Sequence, residues 1–212
     1  MDINQIHNNP KLNKLIKEYH SFYKKFYNGG EEITHKRAVK NIDYISNFIQ
    51  NKDLKILEYG CATGFNLRYL KSIGYKNLYG IDALHKFIKI AKSLNDDIDY
   101  TLANFADKSL LPVLKPKYDF IFTRSVLQQY KIGSPIENEL DKSGDNCGVE
   151  HINNIVKAFH KSLNVDGLVV IVEGLDLYYE YNLIFESNGF QLTLQERHDS
   201  YGRFFYRKKK EI

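Results

Sequence analysis

The chain has 212 residues, and 43% of them are hydrophobic. It contains two cysteines and has a formal charge of +4 at pH 7. Its length suffices for one hydrophobic core and is short for two, which predicts a single domain over residues 1–212, and the lack of any apolar run of about eighteen residues excludes a membrane-spanning helix. Two cysteines are too few for a disulfide framework, which predicts a soluble, cytoplasmic protein. The excess of basic over acidic residues is matched by the four basic residues 207–210 alone, so it does not imply nucleic-acid binding.

The first fifty residues are predicted to form two amphipathic helices. Apolar and aromatic side chains recur at helical spacing from Lys11 to Tyr27, and Asn28-Gly29-Gly30 stops this helix. A second helix is predicted from about Glu32 to Ile49. Its inner face is expected to consist of Ala38, Ile42, Ile45 and Phe48.

From residue 55 onward, short apolar strands alternate with helices, which predicts an α/β fold with a mostly parallel sheet. The predicted strands are Lys55–Tyr59, Asn77–Ile81, Asp99–Leu102, Tyr118–Thr123, Leu168–Val172, Phe190–Glu196 and Arg203–Arg207. The predicted helices pass through Leu67 to Ile73, Phe87 to Leu94, Val149 to Leu163 and Leu177 to Ser187. Asp199-Ser200-Tyr201-Gly202 joins the last two strands and predicts an antiparallel hairpin.

One connection is unusually long. Residues 131–148 are polar and contain Gly, Pro, Asp and Asn, and such loops in compact domains often cover a binding site. We predict an active-site loop here, with a surface excursion as the alternative.

The segment Gly60–Gly64 follows the first strand directly. This places it at the carboxyl edge of the predicted sheet, where open α/β sheets bind ligands. A dinucleotide fingerprint needs Gly-x-Gly-x-x-Gly, whereas Ala62 takes the second glycine position and Phe65 the third. The loop therefore fits NAD poorly, and a NAD-dependent oxidoreductase is kept as an alternative.

Ile56–Gly64 resembles motif I of the class I S-adenosylmethionine-dependent methyltransferases, and later segments agree with that family in order and spacing. These are Asp82 at the end of the second strand, Asn104-Phe105 after the third, Tyr118–Ser125 at the fourth, and the C-terminal helix and hairpin. The resemblance covers roughly Leu54 to Lys209. It implies a Rossmann-like, seven-stranded fold with extra N-terminal helices as a cap over residues 1–50, and S-adenosylmethionine as the cofactor.

The resemblance also implies which residues bind the methyl donor. Asp82 matches the acid that accepts both ribose hydroxyls, a geometry that suits one carboxylate, although a strand-end Asp is also a common helix cap. Glu58 is expected to orient the donor's ammonium group, and Asn104 and Phe105 to contact the adenine. The complete predicted donor-binding set is Glu58, Gly60, Cys61, Ala62, Gly64, Asp82, Ala83, Asn104, Phe105, Thr123 and, from the N-terminal helix, Tyr23.

Methyl transfer from a sulfonium is mainly a problem of positioning, but an oxygen or nitrogen acceptor must also lose a proton. His151, at the start of a helix beside the long loop, is the first choice for a base, and a solvent-facing or capping role is the alternative. Arg124 follows the fourth strand and would suit an anionic acceptor, with a surface ion pair as the alternative. Tyr130 completes the predicted catalytic set.

The acceptor class is narrowed by missing signatures. Thr123–Val126 lacks the Asn/Asp-Pro-Pro-Tyr/Phe pattern of DNA amino-methyltransferases, neither cysteine follows a proline, and the carboxylates of metal-dependent catechol enzymes are missing, so no metal is predicted. A small-molecule or sugar- or phosphate-bearing acceptor is favoured, on oxygen, in a monomer or homodimer. The Lys/Asn-rich composition and the compact architecture also resemble those of bacterial surface-polysaccharide (capsule) methyltransferases. An RNA or protein methyltransferase and a catalytically silent methyltransferase-like partner remain open.

Overall fold

A computed structural model describes residues 42–94, 97–103, 117–127, 148–173, 178–197 and 201–210. The strands are β1 Lys55–Tyr59, β2 Asn77–Asp82, β3 Asp99–Leu102, β4 Tyr118–Arg124, β5 Leu163–Glu173, β6 Phe190–Arg197 and β7 Gly202–Lys208. The helices are α1 Phe65–Ser72, α2 His85–Ser93, α3 Gly148–Ser162 and α4 Tyr178–Ser187, and a short helical stretch at 42–46 precedes β1.

The seven strands form one sheet in the order β3-β2-β1-β4-β5-β7-β6. Strands β1 to β5 pair in parallel, and β7 lies antiparallel between β5 and β6. This confirms the predicted mostly parallel sheet with a C-terminal antiparallel hairpin. The strand order reverses between β1 and β4, the position at which open α/β sheets form a ligand crevice beyond the carboxyl ends of their strands.

Apolar side chains cover both faces of the sheet, because successive residues of a strand point to opposite faces. The first face, which includes Ile56 and Phe122, packs against residues 42–49, α1 and α2. The second face, which includes Leu57 and Tyr59, packs against α3 and α4. The described residues therefore form three layers, with the sheet in the middle.

The fifth strand is longer than the predicted Leu168–Val172. It begins at Leu163, which pairs with Tyr118, and the register then shifts before Leu168 pairs with Phe120. The intervening residues form an irregular part of the strand, where Asn164 Nδ2 donates to Asp119 Oδ1 at 2.7 Å. At its other end β5 includes Glu173, one residue beyond the predicted end.

The second predicted N-terminal helix is only partly described. Ile42 and Ile45 are buried as predicted, but the helical stretch ends at residue 46 rather than at Ile49. Phe48 is 43% exposed, so its prediction as an inner-face residue is wrong, although its ring centroid lies 4.6 Å from that of Phe205. The helix predicted from Lys11 to Tyr27 lies outside the described residues.

The stretch 42–50 is attached to the C-terminal hairpin by a cation and two aromatic rings. The guanidinium of Arg203 in β7 lies 4.0 Å from the ring centroid of Tyr44 and also contacts the ring of Tyr201. Arg203 Nη1 donates to Glu196 Oε2 at 3.0 Å, and the hydroxyl of Tyr44 donates to the other oxygen of Glu196. Because Arg203 is buried and the contacts are both ionic and cation–π, this attachment is expected to hold the N-terminal stretch against the sheet.

Candidate functional site

The loop after β1 folds back onto the end of β2. The amides of Gly60 and Cys61 both donate to the carbonyl oxygen of Ile81, at 2.7 and 2.9 Å, and the amide of Gly64 donates to the carbonyl of Cys61 at 2.8 Å. Gly60, Ala62 and Gly64 have φ values of 76°, 46° and 77°, all in the left-handed region. Such a backbone makes a compact turn, and glycine adopts it at two of the three positions without steric cost.

Packing adds a second requirement for glycine in this loop. A Cβ atom on Gly60 would lie 2.2 Å from Cγ2 of Val126, in the turn after β4. A Cβ atom on Gly64 would lie 2.0 Å from the hydroxyl oxygen of Tyr100 in β3. The two glycines therefore allow the neighbouring strand ends to close around the loop.

Replacing Gly60 by alanine is expected to lower the free energy of unfolding by about 2–4 kcal/mol, because it adds both a left-handed non-glycine residue and a steric overlap with Val126. The double variant Gly60→Ala/Val126→Ala removes the overlapping methyl groups and should recover about half of that loss. Urea unfolding of wild type, both single variants and the double variant measures these energies. A Gly60→Ala variant as stable as wild type would contradict the prediction.

Asp82, the last residue of β2, joins this loop to the next one. Its Oδ2 accepts from the amide of Ala62 at 2.9 Å, and its Oδ1 accepts from the amide of Leu84 at 2.8 Å. Leu84 is the N-cap residue of α2 and the helix has no side-chain cap, so Asp82 braces the turn before α2 and does not have the helix-capping role considered as the alternative. Each carboxylate oxygen retains acceptor capacity for a further donor, because an ionised carboxylate has about four lone-pair sites. Asp82 is 8% exposed, and burial raises its pKa while the two amides lower it.

Glu58 lies one strand away and on the same face of the sheet. Its Oε1 accepts from the side-chain amide of Asn66 in α1 at 2.5 Å, whereas its Oε2 has no hydrogen-bond partner among the described residues. The residue is 2% exposed. A buried carboxylate oxygen without a donor is costly, which suggests that a ligand supplies one.

Burial raises the pKa of Glu58 to about 8. The hydrogen bond from Asn66 and the positive charge of Arg124 lower this pKa, and the negative charge of Asp82 raises it. The side chains of Glu58, Asp82 and Arg124 thus interact at one edge of the sheet. All three are on the first face, because they share strand parity with Ile56, Leu78 and Phe122 respectively.

The remaining predicted residues fall into three groups. Cys61 and Thr123 are both buried. Cys61 packs in the first-face cluster, where burial and then the charges of Glu58 and Asp82 raise the pKa of its thiol, whereas Thr123 points to the second face with Tyr59, its partner in the strand register, and away from the two carboxylates. Ala83 is half-buried in the turn before α2. His151 is half-buried in the first turn of α3, on the second-face layer. Outside the described residues lie Tyr23, Asn104, Phe105, Tyr130 and most of the predicted loop 131–148.

Sequence reasoning missed two residues of this region. Asn66 was not singled out, although an amide side chain in the first turn of the helix after a glycine loop is a usable signal. Glu173 was treated only as the residue after a strand, yet its carboxylate accepts from the amides of Val126 and Leu127. Across the described ranges no group of three His, Cys, Asp or Glu side chains is close enough to hold a metal ion, and no helix there is long and apolar enough to span a membrane.

Comparison with known proteins adds independent information. The model of a family described as a methyltransferase domain matches residues 31–201. No curated protein matches the sequence. Among solved structures, a TehB-like SAM-dependent methyltransferase from Corynebacterium glutamicum superposes with a TM-score of 0.63 at 16% identity, over 92% of this chain and 98% of that one.

Two further solved structures have the same fold and are methyltransferases of different names. Magnesium protoporphyrin IX methyltransferase from Synechocystis PCC 6803 with bound SAM has a TM-score of 0.63 at 13% identity and covers 91% of each chain. A ribosomal protein L11 methylase from Lactobacillus delbrueckii subsp. bulgaricus has a TM-score of 0.60 at 18% identity, over 86% of this chain and 82% of that one. At these identities the likeness concerns the fold alone.

Proposed function

The chain belongs to the methyltransferase domain family, and from this premise we propose that it transfers a methyl group from S-adenosylmethionine to the oxygen of a small-molecule acceptor in the cytoplasm. The observation that carries the proposal is the arrangement at the carboxyl edge of the sheet. There the glycine loop, the Asp82 carboxylate and Glu58 Oε2, which has no hydrogen-bond partner in the part of the chain that the structure describes, lie together at the point where the strand order reverses.

The residues present fit the donor. Asp82 already orders the loop through Ala62 and has acceptor capacity left for the two adjacent ribose hydroxyls. Glu58 Oε2 is buried and could accept a hydrogen bond from the ammonium group of the methionine part. When bound, the donor supplies an electrophilic methyl group on a sulfonium. Cys61 and Ala83 stay in the proposed donor-binding set, and Thr123, whose side chain points to the second face, is proposed to contact the donor through its backbone.

The protein's own contribution is to orient the two reactants and to remove one proton. Arg124 is half-buried at the end of β4 and on the same face as Glu58, so its guanidinium can bind an anionic group of the acceptor. His151 lies in the first turn of α3, and the last residue of this helix, Ser162, leads directly into β5, so the first turn is at the carboxyl end of the sheet. From there a ring nitrogen can accept the proton of the acceptor hydroxyl. Tyr130 is the third proposed catalytic residue.

The acceptor is proposed to be a sugar or another small molecule that carries a phosphate or carboxylate. The positive charge of Arg124 supports this acceptor class. The Lys/Asn-rich composition supports a role in capsule or surface-polysaccharide synthesis. The fold does not choose the acceptor, because proteins of this fold are named for a porphyrin and for a ribosomal protein. The predicted helical cap over residues 1–50 is proposed to fold over the donor pocket, and residues 131–148 are proposed to be an active-site loop. The enzyme is proposed to be a monomer or homodimer.

Isothermal titration calorimetry with S-adenosylmethionine, S-adenosylhomocysteine and NADH tests the donor assignment. We expect one-site binding of the first two ligands and no binding of NADH at the same concentrations, because the loop lacks the third dinucleotide glycine. Binding of NADH alone would overturn the proposal. Incubation with trideuteromethyl donor and pools of sugar phosphates, followed by mass spectrometry, then identifies the acceptor and separates an active enzyme from a silent donor-binding partner.

A further inference from the structure

Glu173, which ends β5, is a buried carboxyl group outside the predicted donor-binding and catalytic sets. It is 1% exposed and lies at the carboxyl edge of the sheet, next to β4 and opposite Gly202 in β7. Burying a carboxyl group costs free energy unless its oxygens accept hydrogen bonds. The bonds that Glu173 accepts therefore indicate why an acid occupies this position.

Glu173 holds the turn that follows β4. Its Oε1 accepts from the amide of Val126 at 2.9 Å and from the amide of Leu127 at 3.0 Å, while the amide of Ser125 donates to the carbonyl of Val172 at 2.9 Å. Three successive amides are thus bound by the end of β5. Ser125 has a φ of 55°, a left-handed conformation that a non-glycine residue keeps only when its surroundings fix it.

The same turn packs against the donor loop. The isopropyl group of Val126 occupies the space that a side chain at position 60 would need, 2.2 Å from the ideal Cβ position of Gly60. Gly60 begins the loop whose next-but-one residue, Ala62, donates to Asp82. A shift of the 125–127 turn would therefore move the Gly60–Gly64 loop, and with it the amide of Ala62 that donates to Asp82.

We propose that Glu173 is a positioning residue of the donor site, which fixes the 125–127 turn and, through Val126, holds the Gly60–Gly64 loop in its donor-binding conformation. The inference rests on the proposed function and adds to it a residue that acts through a turn. It depends on the reach of the Glu173 side chain to two amides, and not on its charge as such.

Two substitutions separate reach from charge. Glu173→Gln keeps a carbonyl oxygen at the same length and should bind S-adenosylhomocysteine within about threefold of wild type. Glu173→Asp keeps the charge but withdraws the oxygens by one methylene, and should bind about tenfold more weakly or worse, as expected when a loop is misplaced. Calorimetry gives the affinities, and Glu186→Asp on the exposed side of α4 is the matched control, expected to bind like wild type.

A double-mutant cycle tests the route through Val126. Val126→Ala should weaken binding by about three- to tenfold, and Glu173→Asp/Val126→Ala should bind within about threefold of Glu173→Asp alone, because both changes interrupt the same contact path. A purely structural Glu173 would change the melting temperature and leave the affinity unchanged. If Glu173→Asp does not fold, Val126→Ala carries the test, and an affinity equal to wild type overturns the proposal.

The remaining outcomes are also decisive. A folded Glu173→Asp variant with wild-type affinity, a Glu173→Gln variant as weak as Glu173→Asp, or effects that multiply in the double variant would each overturn the positioning role. These results leave the proposed function intact, since wild type still binds. Failure of wild type to bind S-adenosylhomocysteine would instead overturn the donor assignment and this inference together.

Discussion

Asp82→Ala is expected to weaken S-adenosylhomocysteine binding by about 10- to 100-fold. The variant loses the charge-assisted hydrogen bonds proposed for the ribose. A net loss of about 1.5–3 kcal/mol, the range for a hydrogen bond to a charged group, corresponds to this change, since about 1.4 kcal/mol is tenfold in affinity. It also releases the amides of Ala62 and Leu84, which the carboxylate holds at 2.9 and 2.8 Å. Calorimetry at fixed pH measures the change, and circular dichroism confirms that the variant is folded.

A second ligand separates ribose binding from loop ordering. The 2′-deoxy analogue of S-adenosylhomocysteine lacks one of the two hydroxyls, so wild type should bind it several-fold more weakly, whereas Asp82→Ala should bind both ligands equally. Asp99→Ala is the matched control, because it removes an exposed aspartate from the start of the neighbouring strand β3. If Asp82→Ala still discriminates between the two ligands, Asp82 does not bind the ribose, even if the overall affinity falls.

The position of Asp82 and of the glycine loop could be predicted because each depends on a short stretch of sequence. An apolar strand ends at Asp82, and Gly60 and Gly64 mark a turn between a strand and a helix. In a parallel sheet the strands end at one edge, so these local patterns are enough to bring both features to one crevice. The family resemblance then supplied the chemistry expected there.

The hydrogen-bond partners of the site could not be predicted, because they join residues that are distant in sequence. Glu173 and Val126 are 47 positions apart, and their contact depends on where β5 ends relative to β4. The side chain of Thr123 illustrates a second limit. Strand register decides which face a residue takes, and a shift of one position reverses it, so a residue at a strand end can be assigned to the crevice and yet lie behind the sheet.

Donor affinity is expected to rise with pH as Glu58 ionises. With burial raising the pKa of Glu58 to about 8, most of the ligand-free protein carries a proton on this side chain at pH 6. The donor's ammonium group pairs with the ionised form, so binding must expel that proton. The affinity for S-adenosylhomocysteine should therefore increase by at least about tenfold between pH 6 and pH 8 and level off above it.

Glu58→Gln tests the ligand-binding role of this carboxyl group. The variant should bind more weakly than wild type at pH 8, and its affinity should not vary with pH between 6 and 8. Asn66→Ala removes a hydrogen bond that lowers the pKa of Glu58, so it should move the inflection to higher pH. Glu186→Gln, an exposed substitution in α4, should keep the wild-type profile. A Glu58→Gln variant with the wild-type pH dependence would assign the titration to another group.

The stability of the ligand-free protein should change with pH in the opposite sense. Because the folded-state pKa of Glu58 is raised to about 8 from its usual 4.5, the folded protein keeps a proton that the unfolded chain releases between these values. The contribution of Glu58 to stability is then complete below about pH 4.5 and lost as the pH rises to about 8. Glu58→Gln should therefore gain melting temperature relative to wild type between pH 5 and pH 8 while losing donor affinity. A Glu58→Gln variant that gains melting temperature but loses donor affinity would show that this carboxylate serves ligand binding at the cost of stability. A variant that loses both would indicate that Glu58 only braces the loop.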